Sequence, residues 1–413
     1  MTARIDSLWL YEPGLQAAFD AIERDGDSVR VVGGAVRNTL MGLPVTDIDI
    51  ATDAVPDNVI ARAEAAGLKA VATGYEHGTI TVVSHGTAYE VTTLREDVET
   101  HGRSATVRFG RDWQRDAERR DFTMNALYAA RDGTVLDPVG GLPDLAARHV
   151  RFIGDAHRRI REDYLRILRF FRFHAQYGKG PLDAGGRAAA TELKGGISGL
   201  SAERIGMEMR KLVVAPRAAE TLAEMTEAGV TPLVLATRGG LAPFRALRAL
   251  DHLAPNTRDP ALALAALSDG DAAELDIVAD HLRLSNAERR RMKAAFGASC
   301  WLAERRAARE PGDDPRLALE LLHRFGREAG VDGVLLAWSN SGLGPDDPAF
   351  KALLAQALGL DAPVFPLSGR DLTRAGVAAG PEVGRRLALA EERWVASGFA
   401  LDRTALLDVA VAG

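Results

Sequence analysis

The sequence predicts an α+β head followed by an all-helical remainder. Segments rich in β-branched residues, and segments that alternate between apolar and polar residues, are confined to the first third of the chain. From about residue 148 onward, stretches rich in Ala, Leu, Arg and Glu are broken by Gly and Pro, which is typical of helices joined by turns. The length of 413 residues predicts roughly two to three domains at about 150 residues per domain.

The first elements of the head are a strand, a turn, a short helix, a turn and a second strand over residues 29–50. Three of the four residues at 29–32 are valine, which favours a strand, and the following two glycines end it. Residues 35–41 form the predicted helix, and residues 47–50 alternate with the period of a strand. The other predicted strands and turns lie at 42–44, 79–83, 84–86, 88–95 and 133–138.

The composition is that of a globular protein, with 46% hydrophobic and 26% charged residues. A net charge of −6 argues against a protein that binds nucleic acid through bulk positive charge. No apolar run approaches the roughly 20 residues needed to cross a bilayer, so no membrane association is expected. The first residues lack a secretory pattern, and Cys300 is the single cysteine. The predicted compartment is therefore a reducing cytoplasm.

Two carboxylates alternate on the predicted strand at 47–50. Asp47 and Asp49 are two residues apart and are expected on one face, about 6.6 Å apart at ~3.3 Å rise per residue. Such a pair repels itself unless a cation lies between the charges, and oxygen ligands suit Mg²⁺. Glu90, in the strand predicted at 88–95, is a candidate third carboxylate, although an outward-facing strand residue explains it equally well.

A glycine-rich turn precedes this pair by about ten residues. Gly33 and Gly34 allow the backbone to approach a phosphate closely, and Arg37 can neutralise its charge. This turn strengthens the interpretation of Asp47 and Asp49 as a functional pair. An Asp-x-Asp triplet without such a turn most often lies in a surface turn.

Two further blocks, at 119–126 and 161–172, combine arginines with acidic residues. In the second block, Asp163 and Arg166 are three residues apart and are predicted to be neighbours on one helix face, with Arg169 one step further. Taken alone, that spacing favours an ion pair within the helix. The predicted buried stripe of this helix consists of Tyr164, Leu165, Leu168 and Phe171.

The three blocks together resemble class II tRNA nucleotidyltransferases, which comprise the CCA-adding enzymes and the bacterial poly(A) polymerases. The matching segments are VVGGAVRNTLMGLPVTDIDIAT, RRDFTMNALY, DPVGGLPDLAARHVRFIGD, REDYLRILRFFRF, LSAERIGMEMRKL and, near the end, SGRDLTRAGVAAGPEVGRRL. The resemblance is dense over residues 29–213 and thin beyond them. One departure is Asn38, where the family usually has Asp after the arginine.

The resemblance implies a polymerase-beta-like nucleotidyltransferase head with a mixed β-sheet, followed by an all-helical neck, body and tail. The implied boundaries are 1–147 for the catalytic head, 148–213 for the neck with its nucleobase-recognition helix, 214–360 for an RNA-binding body and 361–413 for a tRNA-binding tail. Within the body, the basic clusters at 289–291 and 305–306 are candidates for tRNA contacts, or simply solvated helix faces.

The implied reaction is addition of C, C and A from CTP and ATP to the 3′ end of tRNA, with release of pyrophosphate. The implied partners are tRNA and the two nucleotides, and no protein partner is evident. The implied site consists of Asp47 and Asp49 holding two Mg²⁺ ions, Gly34 and Arg37 at the triphosphate, Arg120 and Asp121 at the nucleotide, and Arg169 and Arg172 at the phosphates.

The pair Asp163 and Arg166 explains the choice of C and A within this resemblance. Cytosine and adenine each present an amino donor beside a ring-nitrogen acceptor, whereas guanine and uracil present the reverse. A carboxylate only accepts and a guanidinium only donates, so the pair fits C and A. The alternatives are a poly(A) polymerase, an enzyme restricted to CC or A addition, and a catalytically silent RNA-binding relative.

Overall fold

The computed structural model describes residues 3–101, 104–237, 239–268, 272–307 and 315–412, and at 96–101 and 104–107 it describes the backbone alone. The chain divides into two compact units, Met1–Val234 and Leu235–Gly413. The finer division into head, neck, body and tail stays a prediction.

A seven-stranded sheet and a separate two-stranded sheet lie in the first unit. The strands in chain order are β1 Val29–Val32, β2 Asp49–Thr52, β3 Lys69–Gly74, β4 Thr79–Ser84, β5 Thr87–Thr93, β6 Arg95–His101, β7 Ser104–Phe109, β8 Tyr128–Ala129 and β9 Val135–Leu136. The large sheet has the order β3-β4-β5-β2-β1-β8-β9, and β6 pairs with β7. Because β2 and β5 are parallel while the other pairs are antiparallel, the expected mixed sheet is confirmed.

The strands predicted at 29–32, 79–83, 88–95 and 133–138 correspond to the observed β1, β4, β5 and β9. The prediction for β2 needs a correction. The strand predicted at 47–50 begins only at Asp49, so Asp47 lies in the segment that leads into β2. The turn predicted at 84–86 is confirmed, since His85 and Gly86 both have positive φ, as a tight two-residue hairpin requires. The strands β3, β6, β7 and β8 were not predicted, because their sequences alternate weakly.

The helices of the first unit surround the sheet and continue beyond it. They are α1 Pro13–Ile22, α2 Gly34–Leu40, α3 Pro56–Ala65, α4 Trp113–Glu118, α5 Gly141–Ala147, α6 Ala156–Glu162, α7 Leu165–Tyr177, α8 Ala184–Leu193, α9 Ala202–Leu212, α10 Ala218–Glu227 and, at the unit's end, α11 Thr231–Leu235. Short 3₁₀ turns lie at Leu8–Tyr11, Tyr75–His77, Thr123–Asn125 and Lys194–Gly199. After Leu136 the described residues contain no further strand, which confirms the predicted change to helices.

The helix α7 carries an aromatic face that joins the helical part to the head. Phe170 stacks on Phe152 with ring centroids 5.3 Å apart, and Phe152 in turn lies 4.9 Å from Phe122. All three rings are buried, and burying one such side chain stabilises a fold by about 1.5–3 kcal/mol. Phe122 belongs to the segment 119–126, so this core fixes that segment against α7.

A buried histidine on α7 makes stability depend on pH. Arg217 Nη1 lies 3.1 Å from His174 Nε2, and since a guanidinium only donates, this ring nitrogen accepts and the imidazole is neutral. Burial, together with the nearby charges of Arg217 and His149, lowers the pKa of His174 to about 4.

We expect the free energy of unfolding to fall as the pH is lowered from 7 to 5. The folded-state pKa of His174 lies below its ordinary value of 6.5, so the unfolded chain takes up the proton first and gains stability relative to the fold. Between pH 7 and pH 5 this lowers the free energy of unfolding by about 2 kcal/mol. Urea titrations at both pH values test it, with His174→Gln as the comparison. An unchanged pH dependence in that variant would contradict the assignment.

The second unit is helical throughout its described residues. Its helices are α12 Leu241–Ala249, α13 Pro260–Ala266, α14 Ala272–His281, α15 Asn286–Ala307, α16 Pro315–Asn340, α17 Pro348–Gly359, α18 Gly369–Arg374, α19 Pro381–Ala396 and α20 Arg403–Ala412, with a 3₁₀ turn at Pro255–Arg258. The last three helices share an apolar cluster that includes Leu372, Trp394 and Leu406. In the described part of the chain, no helix is long and apolar enough to cross a membrane.

Two arginines of the basic cluster at 289–291 form ion pairs with acidic residues of the same protein. Arg291 pairs at 2.8 Å with Asp332, whose side chain is fully buried, and Arg289 pairs with Asp276 at 3.2 Å. Asn256 donates to the other oxygen of Asp332 at 3.0 Å. These contacts join α14, α15, α16 and the 3₁₀ turn Pro255–Arg258, so at least two of the three arginines have a structural role.

Candidate active site

The candidate carboxylates meet at two central strands of the large sheet, β2 and β5. Asp49 and Glu90 are direct partners in the parallel register of β2 and β5, so their side chains share one face. Asp47 precedes Asp49 by two residues, and all three side chains line one pocket of about 550 Å³. The structure therefore brings Glu90 to the predicted pair, which the sequence left open between a site residue and an outward-facing one.

The charges in this pocket are not balanced. Partial burial, followed by the charges of Glu90 and Asp47, raises the pKa of Asp49, and the charge of Arg120 acts in the opposite direction. Within the described residues, no three His, Cys, Asp or Glu side chains form a ready-made metal site. The donor set is nevertheless of the kind that a divalent cation prefers, because it consists of carboxylate oxygens with uncompensated negative charge.

The glycine turn lies beside these carboxylates. The last residue of β1, Val32, is the antiparallel partner of Asp49, so the chain reaches Gly33 one strand away from Asp49. Gly33 has φ 71° and ψ −113°, a conformation that favours glycine, and it precedes the first turn of α2. A Cβ at Gly33 would lie 3.8 Å from Arg120 Nη1, so the turn and this guanidinium face one another.

Arg37 is buried and its guanidinium is held from several sides. Nη1 donates to Asn125 Oδ1 at 2.6 Å, Nη2 donates to Tyr177 at 2.7 Å, and both Nε and Nη2 donate to Asn38 Oδ1. Asn38, which departs from the family pattern, also donates to the Pro44 carbonyl at 2.8 Å. The residue after the arginine therefore orients Arg37 and closes the turn after α2.

Arg120 is positioned by a buried carboxylate. Asp116 accepts from Arg120 Nη2 at 3.2 Å, from Arg119 Nε at 2.8 Å and from the Tyr128 hydroxyl at 2.7 Å. Although burial opposes its charge, the neighbouring Tyr128 and Asp116 raise the pKa of Arg120. Arg120 is thus a fixed cation between the carboxylates and the Gly33 turn.

Asp121 is occupied by contacts inside the protein. One oxygen accepts from the Phe122 backbone at 2.8 Å and from Asn125 at 3.0 Å, and the other accepts from Arg169 Nε at 2.8 Å. Burial by itself would raise its pKa, yet Arg169 and the hydrogen bonds from Asn125 and Phe122 hold the pKa of Asp121 at about 2. Asp121 therefore holds the Arg169 guanidinium in place.

Three guanidiniums converge beside this carboxylate. Arg169 and Arg172 extend from α7, and Glu208 of α9 pairs with Arg172 and lies 3.8 Å from Arg169. Burial, and after it the charges of Arg172 and Arg169, lowers the pKa of Arg37. A group of mutually repelling cations around one space is suited to an anion with several charges.

The prediction that Asp163 and Arg166 share one helix face is wrong. α6 ends at Glu162, Asp163 is extended with φ −157° and ψ 109°, and α7 begins at Leu165. The side chain of Asp163 accepts from the Leu165 backbone at 3.1 Å, and aspartate competes in this way with helix continuation. The two residues lie at the break between two helices.

The ion pair that the spacing alone favoured is not formed either, because both residues have other partners. Arg204 Nη2 of α9 pairs with Asp163 at 2.6 Å, and Arg166 Nη1 pairs with Glu162 at 2.5 Å. Glu162, Asp163 and Arg204 line a second pocket of about 630 Å³. Its wall also includes Tyr164, whose ring would lie 2.0 Å from a Cβ at Gly196.

Several residues that organise the site were not predicted. They are Asp116, Asn125, Tyr128, Glu162, Tyr177, Arg204 and Glu208. Five of them, Asn125, Tyr128, Glu162, Arg204 and Glu208, lie inside the segments that carried the family resemblance, so position in those segments was an available signal. Asp116 and Tyr177 have no local pattern that marks them, because their role depends on partners that other parts of the fold supply.

Comparisons with known proteins agree with the geometry. The family described as the Poly A polymerase head domain matches residues 29–151. The chain is 33% identical to CCA tRNA nucleotidyltransferase 1, mitochondrial, of Homo sapiens, over 96% of this chain and 90% of that protein. It is 33% identical to the CCA-adding enzyme of Limosilactobacillus fermentum, over 97% of this chain and 96% of that protein.

Solved structures share the fold over nearly the whole length. The Bacillus stearothermophilus CCA-adding enzyme in complex with CTP matches with a TM-score of 0.71 and 28% identity, covering 97% of this chain and 98% of that one. The Thermotoga maritima CCA-adding enzyme complexed with tRNA matches with a TM-score of 0.72 and 20% identity, covering 100% of this chain and 99% of that one. The second match concerns the fold alone.

Proposed function

The chain belongs to the family of CCA-adding tRNA nucleotidyltransferases, and from this premise we propose how its residues divide the work of the reaction. The enzyme adds C, C and A to the 3′ end of tRNA from CTP and ATP. In each step the 3′ hydroxyl oxygen of the RNA bonds to the α-phosphorus of the nucleotide, the bond to pyrophosphate breaks, and the hydroxyl loses its proton. The observation that carries the residue assignment is the register that places Val32, Asp49 and Glu90 side by side.

Asp47 and Asp49 are the proposed ligands of two Mg²⁺ ions, with Glu90 as a third carboxylate. The fit rests on the donor set, because Asp49 and Glu90 are register partners, all three carboxylates line one pocket, and a cation would relieve the repulsion that raises the pKa of Asp49. When bound, the ions lower the pKa of the attacking hydroxyl and neutralise the leaving group. Asp49 and Glu90 orient this chemistry because they extend from paired strands of a rigid sheet.

The triphosphate is proposed to lie between the Gly33 turn and the arginine group. Gly34 begins α2, whose first turn leaves backbone N–H groups without a partner inside the helix, and the Arg120 guanidinium faces Gly33. Arg37 is largely committed to protein contacts, so Arg169 and Arg172, tethered by Asp121 and Glu208, supply the more adaptable positive charge. Neutralising the developing charge is the main protein contribution to phosphoryl transfer.

The base is proposed to be selected by Asp163 and Arg166 at the break between α6 and α7. Arg204 holds Asp163 and Glu162 holds Arg166, so both groups are fixed before the base arrives. A carboxylate oxygen has more than one lone pair, and Asp163 therefore retains acceptor capacity for the amino group of C or A. G or U would leave buried polar groups unpaired, which disfavours them strongly.

The remaining assignments concern partners and compartment. The helical body and tail, 214–360 and 361–413, are proposed to bind tRNA by shape and phosphate contacts, because the major groove of double-stranded RNA is too narrow to read. A reducing cytoplasm is the proposed compartment, supported by the single cysteine. Localisation of a tagged chain in cells tests the compartment directly.

The assay that tests the function supplies tRNA that ends at the discriminator base together with labelled nucleotides. With CTP and ATP, we expect three nucleotides, C, C and A in that order, followed by a stop. CTP alone should give two additions, and GTP or UTP should give none. A long ladder of adenosines on an unstructured RNA, without preference for tRNA, would contradict CCA addition and favour the poly(A) alternative.

A further inference from the structure

The strand order separates two surfaces on either side of Asp49. β1, which leads into the Gly33 turn, pairs with β2 on one side, and β5, which carries Glu90, pairs with β2 on the other. Since neighbouring strands are about 4.8 Å apart, the turn and Glu90 flank Asp49 at similar distances. The pocket of about 550 Å³ is lined by Glu90 and by Thr81 on β4, whereas neither Gly33 nor Arg120 lines it.

The in-line geometry of phosphoryl transfer predicts which substrate lies on each side of Asp49. The attacking oxygen and the leaving oxygen lie on opposite sides of the phosphorus during phosphoryl transfer. If the triphosphate occupies the side of Gly33 and Arg120, the nucleoside that carries the attacking hydroxyl occupies the side of Glu90. This step rests on the function proposed above, and it identifies the pocket beyond Glu90 as the place of the RNA 3′ end.

An aromatic side chain forms the outer wall of this pocket. Trp9, in the 3₁₀ turn Leu8–Tyr11, lines the pocket together with the carboxylates. Its Nε1 donates to Thr39 Oγ1 at 2.9 Å, and Thr39 donates to the Ala35 carbonyl at 2.8 Å. The indole is therefore tied to α2, the helix that begins at the phosphate-binding turn, and its position is coupled to that turn.

We propose that Trp9 stacks on the 3′-terminal base of the RNA that accepts the nucleotide. CCA addition presents the discriminator base, then C, then C at this position, so recognition there must tolerate different bases. Stacking is tolerant because every base has a π-face, whereas hydrogen-bond recognition would reject some ends.

The test compares a tRNA acceptor ending in C with the same RNA carrying an abasic 3′-terminal nucleotide. On the normal end, Trp9→Ala is expected to lower kcat/KM for RNA about tenfold, the size of one base–aromatic stack, while KM for CTP stays within about twofold of the parent. On the abasic end, the parent should lose a similar factor and Trp9→Ala should lose nothing more. Such non-additivity identifies a direct contact between the two removed groups.

Two further variants show whether Trp9→Ala lowers activity merely because the protein folds less well. Trp9→Phe keeps a ring and should restore most of the activity, and Tyr11→Ala removes an exposed aromatic of the same turn that does not line the pocket. Thr39→Val loosens the indole and should give a smaller loss with the same dependence on the base. An equal loss on both RNA ends, or an equal loss in Tyr11→Ala, would overturn the stacking role while nucleotide addition by the parent upholds the proposed function.

Discussion

Replacing Asp49 by Asn is expected to reduce nucleotide transfer by at least about 10³-fold, because metal ions contribute several kcal/mol to such reactions and Asn removes the charge that holds them. Binding of tRNA should remain unchanged, since the carboxylate contacts the ions and not the RNA. Thermal stability should be kept or slightly increased, because burial and the charges of Glu90 and Asp47 already raise the pKa of Asp49. Primer extension, tRNA gel shifts and melting curves measure the three quantities.

The matched control for this variant is Glu12→Gln. Glu12 lines the same pocket of about 550 Å³, so its replacement removes one negative charge without touching the register pair of Asp49 and Glu90. We expect near-parental transfer in Glu12→Gln. Transfer within a few-fold of the parent in Asp49→Asn, or an equal loss in both variants, would contradict the assignment of Asp49 as a metal ligand.

Replacing Asp163 by Ala is expected to relax base selection by up to about 10⁴-fold in the ratio of CTP to UTP or GTP incorporation. The carboxylate that only accepts would be gone, so the carbonyl oxygen of G or U would no longer face another acceptor, and only the mismatch between the ring N–H and Arg166 would remain. The affinity for the triphosphate should stay near that of the parent, because Arg120, Arg169 and Arg172 are unchanged. Single-nucleotide incorporation with each NTP measures the ratio.

The structure shows why this variant needs a control for stability. Asp163 also accepts from the Leu165 backbone at the start of α7 and pairs with Arg204. Asp155 has a similar capping role at the start of α6, where it accepts from the Arg158 backbone at 2.7 Å. It does not line the pocket of about 630 Å³ that Asp163 lines. Asp155→Ala should lose about 1 kcal/mol of stability and keep its selectivity. If both variants lose stability alike and neither changes selectivity, Asp163 is structural.

The position of Asp163 illustrates a local prediction that the fold overturned. Spacing of three residues and a sequence rich in Leu, Arg and Phe predicted one continuous helix from 161 to 172. The chain instead breaks at Asp163, whose side chain and carbonyl both accept backbone N–H groups at the start of α7. Helix propensity and periodicity describe the average residue, whereas Asp163 makes its own hydrogen bonds at the break and pairs with Arg204, which lies 41 residues further along the chain.

The sequence did not decide whether Glu90 is a third carboxylate of the site or an outward-facing strand residue. An alternating strand presents every second residue to one face, and this pattern does not say which strand lies alongside. The parallel pairing of β2 with β5 requires a crossover through α3, β3 and β4, and only that pairing brings Glu90 to Asp49. The neighbourhood of Glu90 was thus decided by topology.

The sequence by itself determined the α+β head, the helical remainder, the family and the acidic pair beside a glycine turn, because these features depend on local composition, short periodic patterns and specific motifs. Only the tertiary structure decided which side chains hold the site in place: Arg169 on Asp121 over 48 residues, Arg204 on Asp163 and Glu208 on Arg172. Contacts of this kind arise when whole elements pack against one another. Their free energy depends on the register and orientation of both elements, which no single stretch of sequence specifies.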